Sequence, residues 1–449
     1  MSIPIIAALG LYALAILAIA LTSLRSGATA ENFLVAGRKQ RKLLVVASML
    51  ASTVGGGITI GTIQKASVMG FPAFWFVAAG GIAHLLQGLL LSRKVRESEA
   101  VTMADLANKT AGAEARLLTS IIVLVTWIGI AAAQFSAAAR VLSTLVGMSH
   151  PTGVAVAAAF IVVYTLIGGQ KSVLKTDLFQ AGLLAIAVIA TAAYLYIATP
   201  PAAPVKIDLF TEKFGPLDLL YYVVVLGGSY FICPMMFSRI LSADTPANAR
   251  KSSFLSGAGM FGFALVLTFI GLWVSASGFQ VGKLDPLNAI AKSALPPALG
   301  VLLVMGLLAA IVSTADTVIL TASSIAANDL LKRPSVAAIR ILTVAVGAVA
   351  AGIALFQSDV IVLLVKTYNG YTAGLVPALF VSITFARFAG GEPGRRPSHL
   401  LFSAAIVSGY ALGLAGSFAP IDTAAAKLLP LAGMGASAAL ALIAYRKKG

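Results

Sequence analysis

The chain has 449 residues, of which 59% are hydrophobic and only 11% charged, with a formal net charge of +16. A soluble chain carries roughly a quarter charged residues, so this composition excludes a soluble globular protein and implies one that crosses a membrane many times. The positive excess does not point to nucleic acid, because it falls on alternate loops between apolar runs. The single cysteine, Cys233, excludes an intrachain disulfide and a multi-thiolate metal site.

Hydropathy predicts an all-α polytopic membrane protein with about 13 transmembrane helices, at 3–23, 43–65, 72–92, 117–146, 152–168, 177–198, 217–238, 253–277, 297–327, 336–356, 359–384, 398–415 and 426–445. No basic residue precedes the first run and Arg25 follows it, so it reads as a retained span and not as a secretory leader. The second run is interrupted by Gly55-Gly56-Gly57, and the seventh by Gly227-Gly228 and then Pro234. Glycine and proline weaken helices at membrane depth, where freed backbone groups are tolerated only in protein or beside a watery cavity. Close helix packing is the alternative use of such glycines.

The two interrupted spans lie five spans apart. Taken as two units, 43–198 and 217–384, each opens with its broken helix, and an odd number of spans per unit inverts the second. That is a secondary-transporter plan, with the site at the midplane beside the broken helices. Around the units lie residues 1–42 (an extra helix and a basic loop), an extracellular loop at 199–216, and two further helices within 385–449.

Loops on one side hold 24 basic residues, among them Arg38, Arg93, Lys171, Arg239, Arg250, Arg340 and Arg387, against six on the other, Lys65, Lys206, Lys213, Lys283, Lys292 and Lys427. This bias predicts the N-terminus outside and the C-terminus in the cytoplasm of a bacterial inner membrane. Arg140 and Lys366 are the only basic residues placed well inside spans, and both are long enough to snorkel.

The ninth span carries the hydroxyl-rich stretch AIVSTADTVILTASSIAAND at 310–329. Ser313, Thr314, Asp316 and Thr317 lie within about one and a half helical turns. An acid at membrane depth is costly unless it meets a partner, a cation or water, so it marks a site. Oxygen atoms without Cys or His suit hard cations. No HExxH, GxSxG or P-loop pattern is present, and His84, His150 and His399 are scattered, so no enzyme is predicted.

Four segments carry a resemblance to the sodium:solute symporter family: LVAGRKQ at 34–40, ASTVGGGITIGT at 51–62, YTLIGGQKSVLKTDLFQ at 164–180 and the 310–329 stretch, with FSRILSAD at 237–244 as a weaker fifth. The resemblance implies the LeuT-type fold of five plus five inverted helices, with one extra N-terminal and two extra C-terminal helices. It implies a sodium site of carbonyls from Ala51, Val54 and Ala310 and hydroxyls from Ser313 and Thr314. It further implies a second cation site at Asp177, Ser313, Asp316 and Thr317, where Asp316 stands at a position that is Ser in other members. Solute contacts are expected from Ser52, Thr53, Gly55 and Gly56 on the first broken helix and Leu226, Tyr230 and Phe231 on the second, with Gln87 and Gln134 as polar residues in apolar spans.

The implied partners are therefore sodium, a small organic solute and the bilayer, with the oligomeric state open. TVGGG is similar to choline transporters of the family, but those have tryptophan where Thr53 stands. Ile130 and Leu226 also leave no aromatic cage for a quaternary ammonium. Too few polar side chains are present for a sugar. The expectation is a sodium-coupled symporter for an amino acid such as proline, a short carboxylate or pantothenate. Proton coupling on the same fold, a transporter-like sensor and a channel are its rivals.

Overall fold

The computed structural model describes residues 3–23, 29–281, 285–357, 360–386, 396–420 and 423–446, with side chains from residue 5 onward except 360–367. Arg25, Lys283, Arg387, Arg395, Lys447 and Lys448 lie outside these residues, as does the side chain of Lys366. Among the described residues there are helices and two isolated bridges but no strand.

The chain opens with α1 (Ile3–Leu21) and a short α2 (Ala30–Val35). The first interrupted span is α3 (Lys42–Thr53) and α4 (Gly56–Met69), bent by 57°. α5 (Trp75–Leu90), α6 (Ser92–Glu97), α7 (Met103–Ala111) and α8 (Ala113–Val146) follow. α9 (His150–Ile197) comprises two helical parts that meet at Gly169, as the two expected spans 152–168 and 177–198 require, but helix and not a loop occupies 170–176. The chain turns inside it at Gly169, whose φ of 58° suits a residue without a Cβ. Lys171 and Lys175 are thus helical.

The second interrupted span is α10 (Pro216–Tyr221), a π-turn at Tyr222–Leu226, α11 (Gly227–Phe231) and α12 (Pro234–Ser242), bent by 44°. Its break falls at Ile232 and Cys233 and not at the glycine pair. Pro234 has no N–H to close a helical bond, whereas Gly227 lets α11 pack on the Ala79 carbonyl of α5. Packing is therefore the role of that glycine. α13 (Pro246–Ser277), α14 (Pro286–Ala289), α15 (Pro297–Ile325), α16 (Val336–Phe356), α17 (Val360–Phe385), α18 (His399–Phe418) and α19 (Ala424–Arg446) complete the chain.

Among the described residues, eight helical segments are long and apolar enough to cross a bilayer, and ten if each bent pair counts as one span. The protein is an integral membrane protein. Burial separates inner from outer helices. In α15, 78% of the most apolar window is buried, against 33% in α16 and α19. α15 is thus the central helix, packed on α8 and α9 and touched by both α3 and α4. Its hydroxyl face meets protein and not lipid: Ser313, Thr314, Asp316 and Thr317 are all buried.

On the side of the basic loops, polar ties hold the helix ends. Arg116 donates to Asp329 (2.8 Å) and to the Asn328 carbonyl (2.7 Å), and Thr102 donates to the other Asp329 oxygen (2.7 Å). Lys94 donates to the Thr384 carbonyl at the end of α17 (2.6 Å), and partial burial there holds its ammonium pKa below the ordinary value.

Candidate functional site

α3 ends where α4 has not begun, so the carbonyls of its last turn lose their helical donors. Leu50 keeps one, the Val54 N–H at 2.8 Å. The Ser52 carbonyl accepts instead from the Thr314 hydroxyl of α15 (3.4 Å), which also donates to Ala310 one turn back (2.9 Å). The approach depends on glycine. A Cβ on Gly55 would lie 2.4 Å from the Thr314 Oγ1, and one on Gly56 would lie 2.1 Å from Ile311. Ala51, Val54 and Ala310 are buried at this seam. The five predicted sodium ligands thus lie on two elements in direct contact.

Ser313 donates to Oδ1 of Asp177, and Ser48 of α3 donates to Oδ2. A hydroxyl that gives its one hydrogen to a carboxylate keeps lone pairs free for a cation. Asp177 on α9 therefore fixes the direction in which the Ser313 hydroxyl points.

The sequence reading assigned Arg239 to a loop, and the structure corrects this. It lies inside α12, fully buried, and its guanidinium is the hub of the cluster. Nε donates to Ser48 (2.9 Å), and Nη2 reaches Ser52 (2.8 Å), Asp177 Oδ2 (3.1 Å) and Thr317 (2.5 Å). Nη1 donates to Ser238 (3.0 Å) and the Met235 carbonyl (3.4 Å). One side chain thus ties α3, α9, α12 and α15 together. Asp316, fully buried, lies beside this network: Asp177, Arg239, Thr317 and Tyr164 are all near enough to act on its carboxylate, although none meets it in close hydrogen-bonding geometry. Arg140 is exposed, as a snorkelling residue would be.

The predicted solute residues divide. Ser52 turns its hydroxyl to Arg239, and Thr53 bonds the Met49 carbonyl (2.5 Å). Gln87 of α5 donates to the carbonyls of Tyr230 (3.3 Å) and Phe231 (2.9 Å), so it clamps the end of α11. Tyr371 of α17, which sequence reasoning missed, donates to the next carbonyl, Ile232. Tyr230 sets its ring edge to His84 (6.3 Å), Phe231 meets Phe380 (5.4 Å), and Leu226 closes the π-turn. Gln134 joins neither break. It lies two turns from Trp127 on the same face of α8, buried, and its Oε1 lacks a protein partner. Trp127 packs edge-on against Tyr371 at 5.1 Å.

A cleft of about 470 Å³ opens among the basic loops, lined by Glu31, Leu34, Arg38, Val101 and Asn328. A narrow pocket of about 20 Å³ shares Leu34 and Val101 with it and is lined further by Gln170, Ser238 and Thr321.

The sequence profile of the sodium:solute symporter family matches residues 33–390, and the chain belongs to that family. The human high affinity choline transporter 1 is 27% identical over 421 residues, 81% of this chain and 71% of that protein. The sodium/proline symporter of Escherichia coli is 23% identical, over 86% of this chain and 84% of its own. Among solved structures, a substrate-bound, outward-open Na+-coupled sialic acid symporter superposes with a TM-score of 0.82 at 14% identity, covering 100% of this chain and 98% of that one. A nucleobase-cation-symport-1 family transporter in a closed conformation gives 0.61 at 14% identity, over 94% of both chains. At these identities the structural likeness establishes the fold alone.

Proposed function

We propose that this protein imports a small organic solute with sodium by alternating access. The carrying observation is the seam at which the Thr314 hydroxyl of α15 packs on the break of α3, with Ser313 beside it in sequence. Carbonyls of Ala51, Val54 and Ala310 complete a neutral five-oxygen set. Such a set replaces much of a monovalent ion's hydration shell yet binds weakly enough to release it each cycle. Sodium there joins α3 to α15. Each positive charge moved inward gains about 2.3 kcal/mol per 100 mV, roughly fiftyfold in accumulation.

We read the architecture as the inverted-repeat plan, with the N-terminus outside and the C-terminus in the cytoplasm of a bacterial inner membrane. Counting α1, α17 and the two parts of α9 about Gly169 as further spans brings ten to 13. The solute is an amino acid such as proline, a short carboxylate or pantothenate. Thr53, Ile130 and Leu226 offer no aromatic face to choline, the solute named for the human relative. A carboxylate can rest on the free N–H groups that open α4 at Gly56. A second reading, proton coupling, rests on the fully buried carboxyl of Asp316.

The test is uptake of labelled proline, short carboxylates, pantothenate and choline into vesicles, with and without sodium. Replacing both Ser313 and Thr314 with Ala removes two oxygens. It should raise the sodium requirement about 100-fold, at roughly 1.5 kcal/mol per charged contact. Unchanged sodium dependence in that variant would refute the site. Uptake driven by a pH gradient alone would favour the second reading.

A further inference from the structure

Two of the four residues implied for a second cation, Asp177 and Thr317, are already held by a cation. Arg239 donates to Asp177 at 3.1 Å and to Thr317 at 2.5 Å, and Ser313 donates to the other oxygen of the same Asp177. Both members of the ion pair are fully buried. We propose that the guanidinium of Arg239 is a tethered substitute for a second sodium ion, so that the protein binds one sodium per cycle. This rests on the sodium reading above.

Three observations support it. First, charge: Asp177 is fully buried, and a carboxylate in such a place needs a fixed counter-charge or a captured ion. Arg239 supplies that charge permanently, because guanidinium does not deprotonate in proteins. Second, competition for oxygens. A second ion would draw on Asp177 and Thr317, and arginine hydrogens already point at both, as well as at Ser48 and Ser52. Third, access. Ser238, which accepts from Nη1 at 3.0 Å, also lines the pocket that adjoins the cleft among the basic loops. The arginine therefore links a residue of that pocket to Asp177.

The choice of α12 as anchor adds a consequence. Arg239 lies beyond the second break, whereas Ser48 and Ser52 precede the first. A free ion at this position would leave with each turnover. A tethered one keeps the two broken helices joined to α9 and α15 and carries no charge across the membrane.

The experiment counts sodium ions bound to the purified protein with radioactive sodium chloride, ionic strength being held by choline chloride. It needs no knowledge of the solute. One ion per wild-type chain is expected. Arg239→Gln, checked for folding by gel filtration, should expose Asp177 and raise the count to two. Adding Asp177→Asn to that variant should return it to one. A wild-type count of two, reduced to one by Asp177→Asn or Asp316→Asn, overturns the proposal. A folded Arg239→Gln protein that still binds one ion also overturns it. If that variant does not fold, the wild-type count decides alone. A wild-type count of zero sinks the sodium reading itself, which is a separate failure.

Discussion

At the first interruption, between Thr53 and Gly56, the Ser52 carbonyl meets the Thr314 hydroxyl of α15; at the second, between Phe231 and Pro234, the carbonyls of Tyr230, Phe231 and Ile232 meet an amide and a phenol. The chemistry of these partners differs in one respect. A hydroxyl both donates and accepts, so Ser313 and Thr314 can give up a hydrogen and still offer lone pairs to an ion. The Gln87 amide nitrogen and the Tyr371 hydroxyl donate to Tyr230, Phe231 and Ile232 and occupy those carbonyls. On the reading proposed above, the first break serves an ion through the carbonyls of Ala51 and Val54, since Thr314 takes only that of Ser52. Where side chains take the freed carbonyls, the break becomes a fixed bend.

The sharpest way to break this contrast is to free the second set. Gln87→Leu keeps the bulk of the side chain but leaves two carbonyls without their donor. At about 1–3 kcal/mol for each unsatisfied group, a loss of about 3 kcal/mol in stability is expected. Sodium affinity should stay within about twofold, since no ligand of the first break is touched. Tyr371→Phe removes one donor and should cost about 2 kcal/mol on the same scale. Thermal midpoints, read beside sodium titrations, check both. A large shift in sodium affinity from either variant would mean that the second break also holds the ion.

The reverse experiment disturbs the first break alone. Gly55→Ala places a Cβ 2.4 Å from the Thr314 hydroxyl, and one of them must move. The expected result is about a tenfold rise in the sodium needed for half-maximal binding, equivalent to about 1.4 kcal/mol. Stability should change less, because Gly55 has a φ of −75°, which alanine adopts freely. If sodium binding were unaltered, Thr314 would not be a ligand.

These two regions also show where sequence reasoning worked and where it stopped. The first break was legible because three consecutive glycines in an apolar run have few other uses, and the hydroxyls of α15 stood out from their apolar neighbours. The second was legible at Pro234 but not at Gly227, since the two look alike as breakers although one ends a hydrogen-bond ladder and the other packs against Ala79. Arg239 was lost to the habit of assigning a basic residue near a span end to the loop. A signal was present: Ile240 and Leu241 follow it, and α12 is apolar enough to bury both. Tyr371 carried no signal, because a tyrosine in an apolar helix reads as core packing until its hydroxyl is seen on a carbonyl.

Gln134 offers the smallest effect and separates solute from structure. Its Oε1 is buried without a protein partner, unlike Gln87, whose amide is spent on the second break. A buried acceptor left alone is a cost to the empty protein that a donor on a bound solute can offset. Gln134→Met keeps the length of the side chain and removes the acceptor. The solute-free protein should gain about 1 kcal/mol of stability. Proline uptake should need about fivefold more solute for half-saturation, the loss of about 1 kcal/mol of contact. Stability and half-saturation should therefore move in opposite directions. If the variant instead lost stability while half-saturation stayed fixed, Gln134 would belong to the packing of α8, and the solute would lie nearer the second break, beside Tyr230.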